Sequence, residues 1–203
     1  MRENLILVLP AVLIAYFQVR VIWRKLPRSQ ENNVKVYGEY TEKDWFLYNF
    51  LHFFAVSLFW VQLVFVVIPI SRDQCVICFL LIIGYLLILL GFTISIWALR
   101  TLGLGWSGMM EYKIVREQKL CTTGPYRIIR HPIYLAVILE MIGYQLVVSS
   151  WLVFVVGIIA YLVFRNHIKN EDKLLEGEYK EVFVRYKRQV GSLFPNLRDK
   201  SGL

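Results

Sequence analysis

The chain has 203 residues, 57% of them hydrophobic, and carries 23 Lys and Arg against 15 Asp and Glu for a formal net charge of +8. So large an apolar share is unlike a soluble domain of this length and directs the reading to a membrane protein. The positive excess follows the connections between apolar runs and comes with no RNA- or DNA-binding pattern, so membrane lipids, not nucleic acid, are the expected partners.

A helix that crosses roughly 30 Å of hydrocarbon needs about 20 apolar residues. Three runs meet that requirement: Leu5 to Trp23, Trp45 to Ile70 and Val76 to Leu99. A fourth, Pro132 to Phe164, is too long for one helix and breaks at the polar pair Ser149-Ser150. It is read as two crossings of about 16 residues, each short or tilted. The expected fold class is all-α: a polytopic integral membrane protein of about five transmembrane helices with a C-terminal amphipathic cytosolic helix.

Six of the Lys and Arg lie from Arg20 to Lys43, only Arg72 separates the second and third spans, six lie between the third and fourth, and nine follow from Arg165 onward. Under the positive-inside rule the N-terminus faces outside, and the C-terminus and basic connections face the cytosol. The membrane is a prokaryotic plasma membrane or, in a eukaryote, the endoplasmic reticulum. Residues 1–99 form a scaffold of three spans with a cytosolic loop at 24–44, and residues 100–203 hold the features that carry chemistry.

The first run lacks a small-residue cleavage site and leads into a basic flank, so it reads as a span and not a signal peptide. In the second, Asn49 and His52 are three residues apart and share a helix face. An ionisable group inside a span is a functional candidate, and a neutral histidine bonded to a neighbouring helix is the equal alternative. The third carries Gly84, Gly91, Thr93 and Ser95, small residues that let helices approach closely. Cys75 and Cys78 at its mouth have no second ligand pair, so ordinary thiols are expected and no metal site. Gly103 and Gly105 do not make a dinucleotide fingerprint, because no β pattern precedes them.

The most polar interruption is Leu120 to Tyr134, LCTTGPYRIIRHPIY. Thr122-Thr123-Gly124-Pro125 is a turn signal, and Pro132 suits the first position of a helix, where its missing N–H costs nothing. His131 thus stands at a helix N-terminus with Tyr134 three residues on, flanked by Arg127 and Arg130, which also read as ordinary interfacial anchors. Glu140 lies deeper in the same helix, where a carboxylate costs about 2.5–3.5 kcal/mol to insert. Protonation, His52 or a polar cavity are three ways to offset that cost, and a structural hydrogen bond and direct catalysis both remain open. After the last span, Leu175, Tyr179, Val182, Phe183 and Tyr186 recur at spacings of three and four and form one apolar stripe. Glu171 and Asp172 stand at the start of that stripe, where helix capping accounts for acidic residues equally well.

In order and spacing, Gly124-Pro125-Tyr126, Arg130-His131-Pro132-Ile133-Tyr134, Arg165, Glu171-Asp172, Leu175, Tyr186 and Leu193-Phe194-Pro195 resemble the isoprenylcysteine carboxyl methyltransferase family over about residues 100–197. The resemblance implies a small helical membrane enzyme that moves a methyl group from S-adenosylmethionine to a lipophilic acceptor. Carried onto this chain, it implies a cofactor site lined by Leu120, Gly124, Tyr126, His131, Tyr134, Glu171 and Asp172, with Glu171 taking the cofactor's ammonium. Arg165 would orient an anionic acceptor. The family's usual Glu-Glu is Glu171-Asp172 here, one methylene shorter at the second position.

The chemistry of the residues suits that cofactor, since carboxylates, a histidine donor, backbone N–H groups and aromatic faces match its cationic, anionic and adenine parts. Methyl transfer asks chiefly for in-line alignment and exclusion of water. A carboxylate acceptor needs no base; a phenol or enol does, and His131, His52 and Glu140 are then the candidates. The HPIYLAVILE stretch looks more like prokaryotic relatives that methylate phenolic or enolic lipids such as alkylpyrones. Two other classes compete: a sterol-type membrane reductase using a nicotinamide cofactor, and a non-catalytic lipid-binding membrane protein.

Overall fold

The computed structural model describes residues 34–36, 70–71, 73–103, 113–115 and 119–196. The first two expected spans, with Asn49 and His52, lie outside the described residues except for Ile70 at the end of the second. Three helices carry the described fold: α1, Gln74–Leu102; α2, Pro132–Val147; and α3, Leu152–Gln189.

Each helix end has a local cause. Asp73 Oδ1 accepts from the Cys75 N–H at 2.7 Å, capping α1, and Gly103 closes it with φ +55°, the left-handed conformation that glycine adopts most cheaply. Pro132 opens α2. The polar pair at 149–150 ends it as expected: the Ser149 N–H donates to Leu146 O at 2.8 Å, and Ser150 Oγ then accepts from the Leu152 N–H at 3.2 Å to start α3. At 16 residues, α2 rises ~24 Å, short of a full crossing unless the bilayer thins, as its sequence implies. Among the described residues, α1 and α3 are the two helices long and apolar enough to cross a membrane.

Two features depart from the expected fold. The change from apolar to charged residues near Arg165 does not end the helix: α3, 38 residues long, runs on through it, with one non-helical residue, Lys180 (φ 49°, ψ −125°). Arg165, Asn166 and His167 change the composition without breaking the helix's hydrogen bonds, so the charged stretch continues the same helix. The all-α expectation also misses a two-stranded antiparallel ladder, β1 (Val34–Val36) and β2 (Lys113–Val115), with Val34 opposite Val115. Three residues are too few for a period-two pattern to show in the sequence.

The chain forms two compact units. In the first, comprising 1–25, 39–92 and 138–161, α1 and α2 meet where Gly84 and Gly143 face each other. A Cβ on Gly84 would lie 2.8 Å from Gly143 O and from Val147 Cγ2, so no larger residue fits. Ile88 and Val147 form the buried core beside them, with Leu81, Tyr85 and Tyr144 packed around it. The Ile70 N–H donates to Ser149 O at 2.7 Å, tying the lead-in of α1 to the α2–α3 turn. Phe79, Ile82 and Leu86 on α1, and Phe154 and Ile158 on α3, stay exposed. Large apolar side chains at helical spacing on an outer surface suit lipid as the surrounding solvent.

The second unit, comprising 26–38, 93–137 and 162–203, buries Phe183, Tyr186 and Val190 against Leu120, Leu175 and Tyr179. Most of the amphipathic stripe read in the sequence is thus core. Val182 is the exception: it is 59% exposed, two residues beyond the break at Lys180.

Gly143→Leu is expected to lose about 1–3 kcal/mol of stability by overpacking the α1–α2 contact. Thermal unfolding in detergent checks this, with Gly177→Leu, where a side chain meets open space, as the neutral comparison.

Candidate functional site

The chemistry-bearing residues of the second unit converge on His131, at the entry to α2, and on Glu171 and Asp172 in α3. His131 is buried, and its Nε2 lies 2.8 Å from Asp172 Oδ1 while Nδ1 lies 3.6 Å from Glu171 Oε2. The first is a hydrogen bond; the second is an ion-pair distance only. Asp172 Oδ2 accepts from Arg130 Nη2 at 2.9 Å, so both oxygens of this buried carboxylate are engaged.

Arg130 extends the connection to the end of α3. Its Nη1 donates to Lys187 O at 3.2 Å and to Val190 O. The main chain follows: the Arg130 N–H donates to Gly191 O at 2.9 Å and the His131 N–H to Ser192 O at 3.1 Å. The segment after α3 is therefore laid alongside residues 129–131, and the Tyr186 hydroxyl adds a 2.6 Å bond to Tyr126 O.

The preceding loop is held as firmly. Gly124 has φ +55°, and a Cβ there would come within 2.7 Å of Thr101 Oγ1 and 3.2 Å of Trp97 Nε1, so glycine is needed for both conformation and space. Pro125 and Tyr126 are buried in the 3₁₀ turn Gly124–Arg127. Tyr134 is buried between His131 and Phe164, with ring centroids 5.8 and 5.3 Å away.

Electrostatics follow from this packing. Burial disfavours the charged form of His131, but the hydrogen bond to Asp172 and the nearby charges of Asp172 and Glu171 outweigh it and push the imidazole up to about 9. Burial also raises the Asp172 carboxyl, and His131 and Arg130 overcome that effect, holding it below the usual carboxylate range. Burial, followed by the Glu171 charge, raises the Tyr126 phenol, which stays neutral.

Of the residues singled out in the sequence, the fold brings His131, Tyr134, Glu171 and Asp172 together, with Tyr126 tied to Tyr186 and Leu120 packed against the Phe183 core. Arg165 is exposed on α3, and Glu140 is half-buried on α2 in the first unit. Neither joins the His131 cluster through any contact described above. Arg130 has the larger role than the sequence indicated: its side chain is only 8% exposed, and it joins α3, the segment after it and the His131 motif. Its place beside His131 in the Arg130-His131-Pro132 motif was the available signal.

The chain matches the phospholipid methyltransferase family over residues 79–182, just over half its length. It is 31% identical over 115 residues to the protein-S-isoprenylcysteine O-methyltransferase of Saccharomyces cerevisiae, covering 56% of this chain and 48% of that protein. It is 32% identical over 83 residues to the cobalt-zinc-cadmium resistance protein CzcN of Cupriavidus metallidurans, covering 40% and 38% respectively. The solved structure of a eukaryotic intramembrane Ras methyltransferase, isoprenylcysteine carboxyl methyltransferase, shares the fold with a TM-score of 0.60 at 20% identity, over 71% of this chain and 52% of that one. The chain spans about half or less of the length of these proteins.

Because His131 is raised above its unfolded value, its contribution to stability is complete below about pH 6.5 and is lost as pH rises through about 9. Denaturation midpoints are expected to fall across that window in the wild type and to change less in His131→Gln.

Proposed function

The chain belongs to the phospholipid methyltransferase family, and from that membership and the His131–Glu171–Asp172 cluster we propose that it is an integral-membrane methyltransferase. Its donor is S-adenosylmethionine and its acceptor a lipophilic molecule. The observation that carries the reading is an unmatched pair: Glu171 Oε2 is a buried acceptor with no hydrogen-bond partner, 3.6 Å from a ring nitrogen of a charged histidine. A buried acceptor beside a buried cationic donor is complementary to the zwitterionic end of that cofactor, ammonium to Glu171 and carboxylate to His131.

When bound, the cofactor supplies an electrophilic methyl group on a sulfonium. The chain's residues bind and orient it. Tyr134, fixed between His131 and Phe164, offers an aromatic face to positive charge. Leu120, Gly124 and Tyr126 shape the loop beside it, and their packing against α3 and α1 arranges that loop before anything binds. Arg165, exposed on α3 six residues ahead of Glu171, is assigned to an anionic acceptor.

The protonation of His131 narrows the acceptor. Held as an imidazolium with Nε2 committed to Asp172, it has no lone pair with which to take a proton. An acceptor oxygen already anionic near neutral pH, a carboxylate or an acidic enol, needs no base. An ordinary phenol, ionising near 10, needs one elsewhere, and Glu140 is the remaining described carboxylate on α2.

Calorimetric titration of S-adenosylmethionine into the purified protein in detergent tests the assignment. Glu171→Ala and His131→Ala are each expected to weaken binding at least about tenfold, the order of one charge-assisted contact. Unchanged affinity in a folded double variant overturns the reading.

A further inference from the structure

We propose that Asp172 is a positioning residue and not a ligand of the methyl donor: it fixes the ring of His131 and, through Arg130, fastens residues 187–192 beside it. The statement rests on the methyltransferase reading only for what His131 goes on to bind. The positioning itself is a property of the free protein.

Glu171 and Asp172 are consecutive in α3 and so point about 100° apart. One carboxylate has finished its bonding and the other has not. Asp172 spends Oδ1 on His131 and Oδ2 on Arg130, at 2.8 and 2.9 Å, and its side chain is 10% exposed. Glu171 has a side chain 39% exposed and an oxygen without a hydrogen-bond partner. An ammonium group therefore finds an available acceptor at Glu171, whereas at Asp172 it would have to displace one of two buried cations.

The side-chain length fits this division. A glutamate at 172 would carry its carboxylate one methylene farther, into an imidazole and a guanidinium already at hydrogen-bond distance. Aspartate at this position thus suits a carboxylate that bonds inward. The same carboxylate holds Arg130, whose guanidinium reaches Lys187 O and Val190 O, while the Arg130 and His131 N–H groups reach Gly191 O and Ser192 O. Without the charge of Asp172, two adjacent cations share a buried site with only Glu171 to balance them. His131 is the one of the two that can shed its charge.

The charged and titratable groups described around His131 are Arg130 before it, Tyr134 in α2, and Glu171 and Asp172 in α3. Its titration is read by NMR of ¹³C-histidine-labelled protein in micelles, the resonance being assigned by its loss in His131→Gln. In the wild type it is expected to titrate more than about one unit above the ordinary value near 6.5, and in Asp172→Asn to fall by more than about one unit, with Asp172→Glu restoring at least part of the shift. Relative to wild type, donor affinity in Asp172→Asn is expected to fall at least about tenfold near pH 8.5, with the loss shrinking towards pH 6.

An unmoved His131 titration in Asp172→Asn overturns the proposal, as does an equal loss of donor binding at both pH values, which marks a direct ligand. If Asp172→Asn does not fold, a wild-type His131 that titrates near 6.5 overturns it equally. A purely structural role would lower thermal stability and leave the titration in place. Should the wild type fail to bind S-adenosylmethionine while the titration moves as expected, the methyltransferase reading falls and the positioning role stands.

Discussion

The second unit depends on placing one carboxylate between two cations away from water. Asp172, Arg130 and His131 are mostly buried, and each alone would be expensive to desolvate. Together they leave few charges unmatched, and the bonds of Asp172 close a contact between residues 41 and 42 positions apart. The remaining Arg130 bonds bring in carbonyls 57 and 60 positions away. In this way one buried ion cluster aligns the entry to α2, the middle of α3 and the segment beyond it. Tyr186 and the Phe183 core exclude water around it, which strengthens every charge interaction inside.

The first unit meets a different constraint. Hydrocarbon gives little drive for apolar helices to associate, so packing must come from close backbone approach. Gly84 against Gly143 provides that approach for α1 and α2, and the exposed Phe79, Ile82 and Leu86 are left to face lipid. Within the same unit, the Ile70–Ser149 bond ties the lead-in of α1 to the α2–α3 turn.

How much of this the sequence revealed differs residue by residue. The break at Ser149-Ser150 and the helix start at Pro132 were legible because a polar pair and a proline act locally. The continuity of α3 was not, because composition reports the surrounding solvent while helix continuity depends on hydrogen bonds that Arg165, Asn166 and His167 leave intact. The β1–β2 ladder is too short to show a period. His131 and Glu171 were connected only through resemblance to a family, since no local rule joins positions 40 residues apart. Arg130 looked like a headgroup anchor, and only the fold shows its guanidinium turned inward to Asp172 and the carbonyls ending α3.

In the second unit, the constraints leave one acceptor and one donor side by side at His131 and Glu171. The Glu171 acceptor and the His131 donor are what the ion cluster leaves unspent, and their use in holding a methyl donor is the central claim. The most direct test is transfer of radiolabelled methyl from S-adenosylmethionine into a lipid extract by the purified protein in nanodiscs. The account predicts label in the organic phase from the wild type and none above background from His131→Ala; no label from folded wild-type protein across a panel of lipid carboxylates and enols would contradict it.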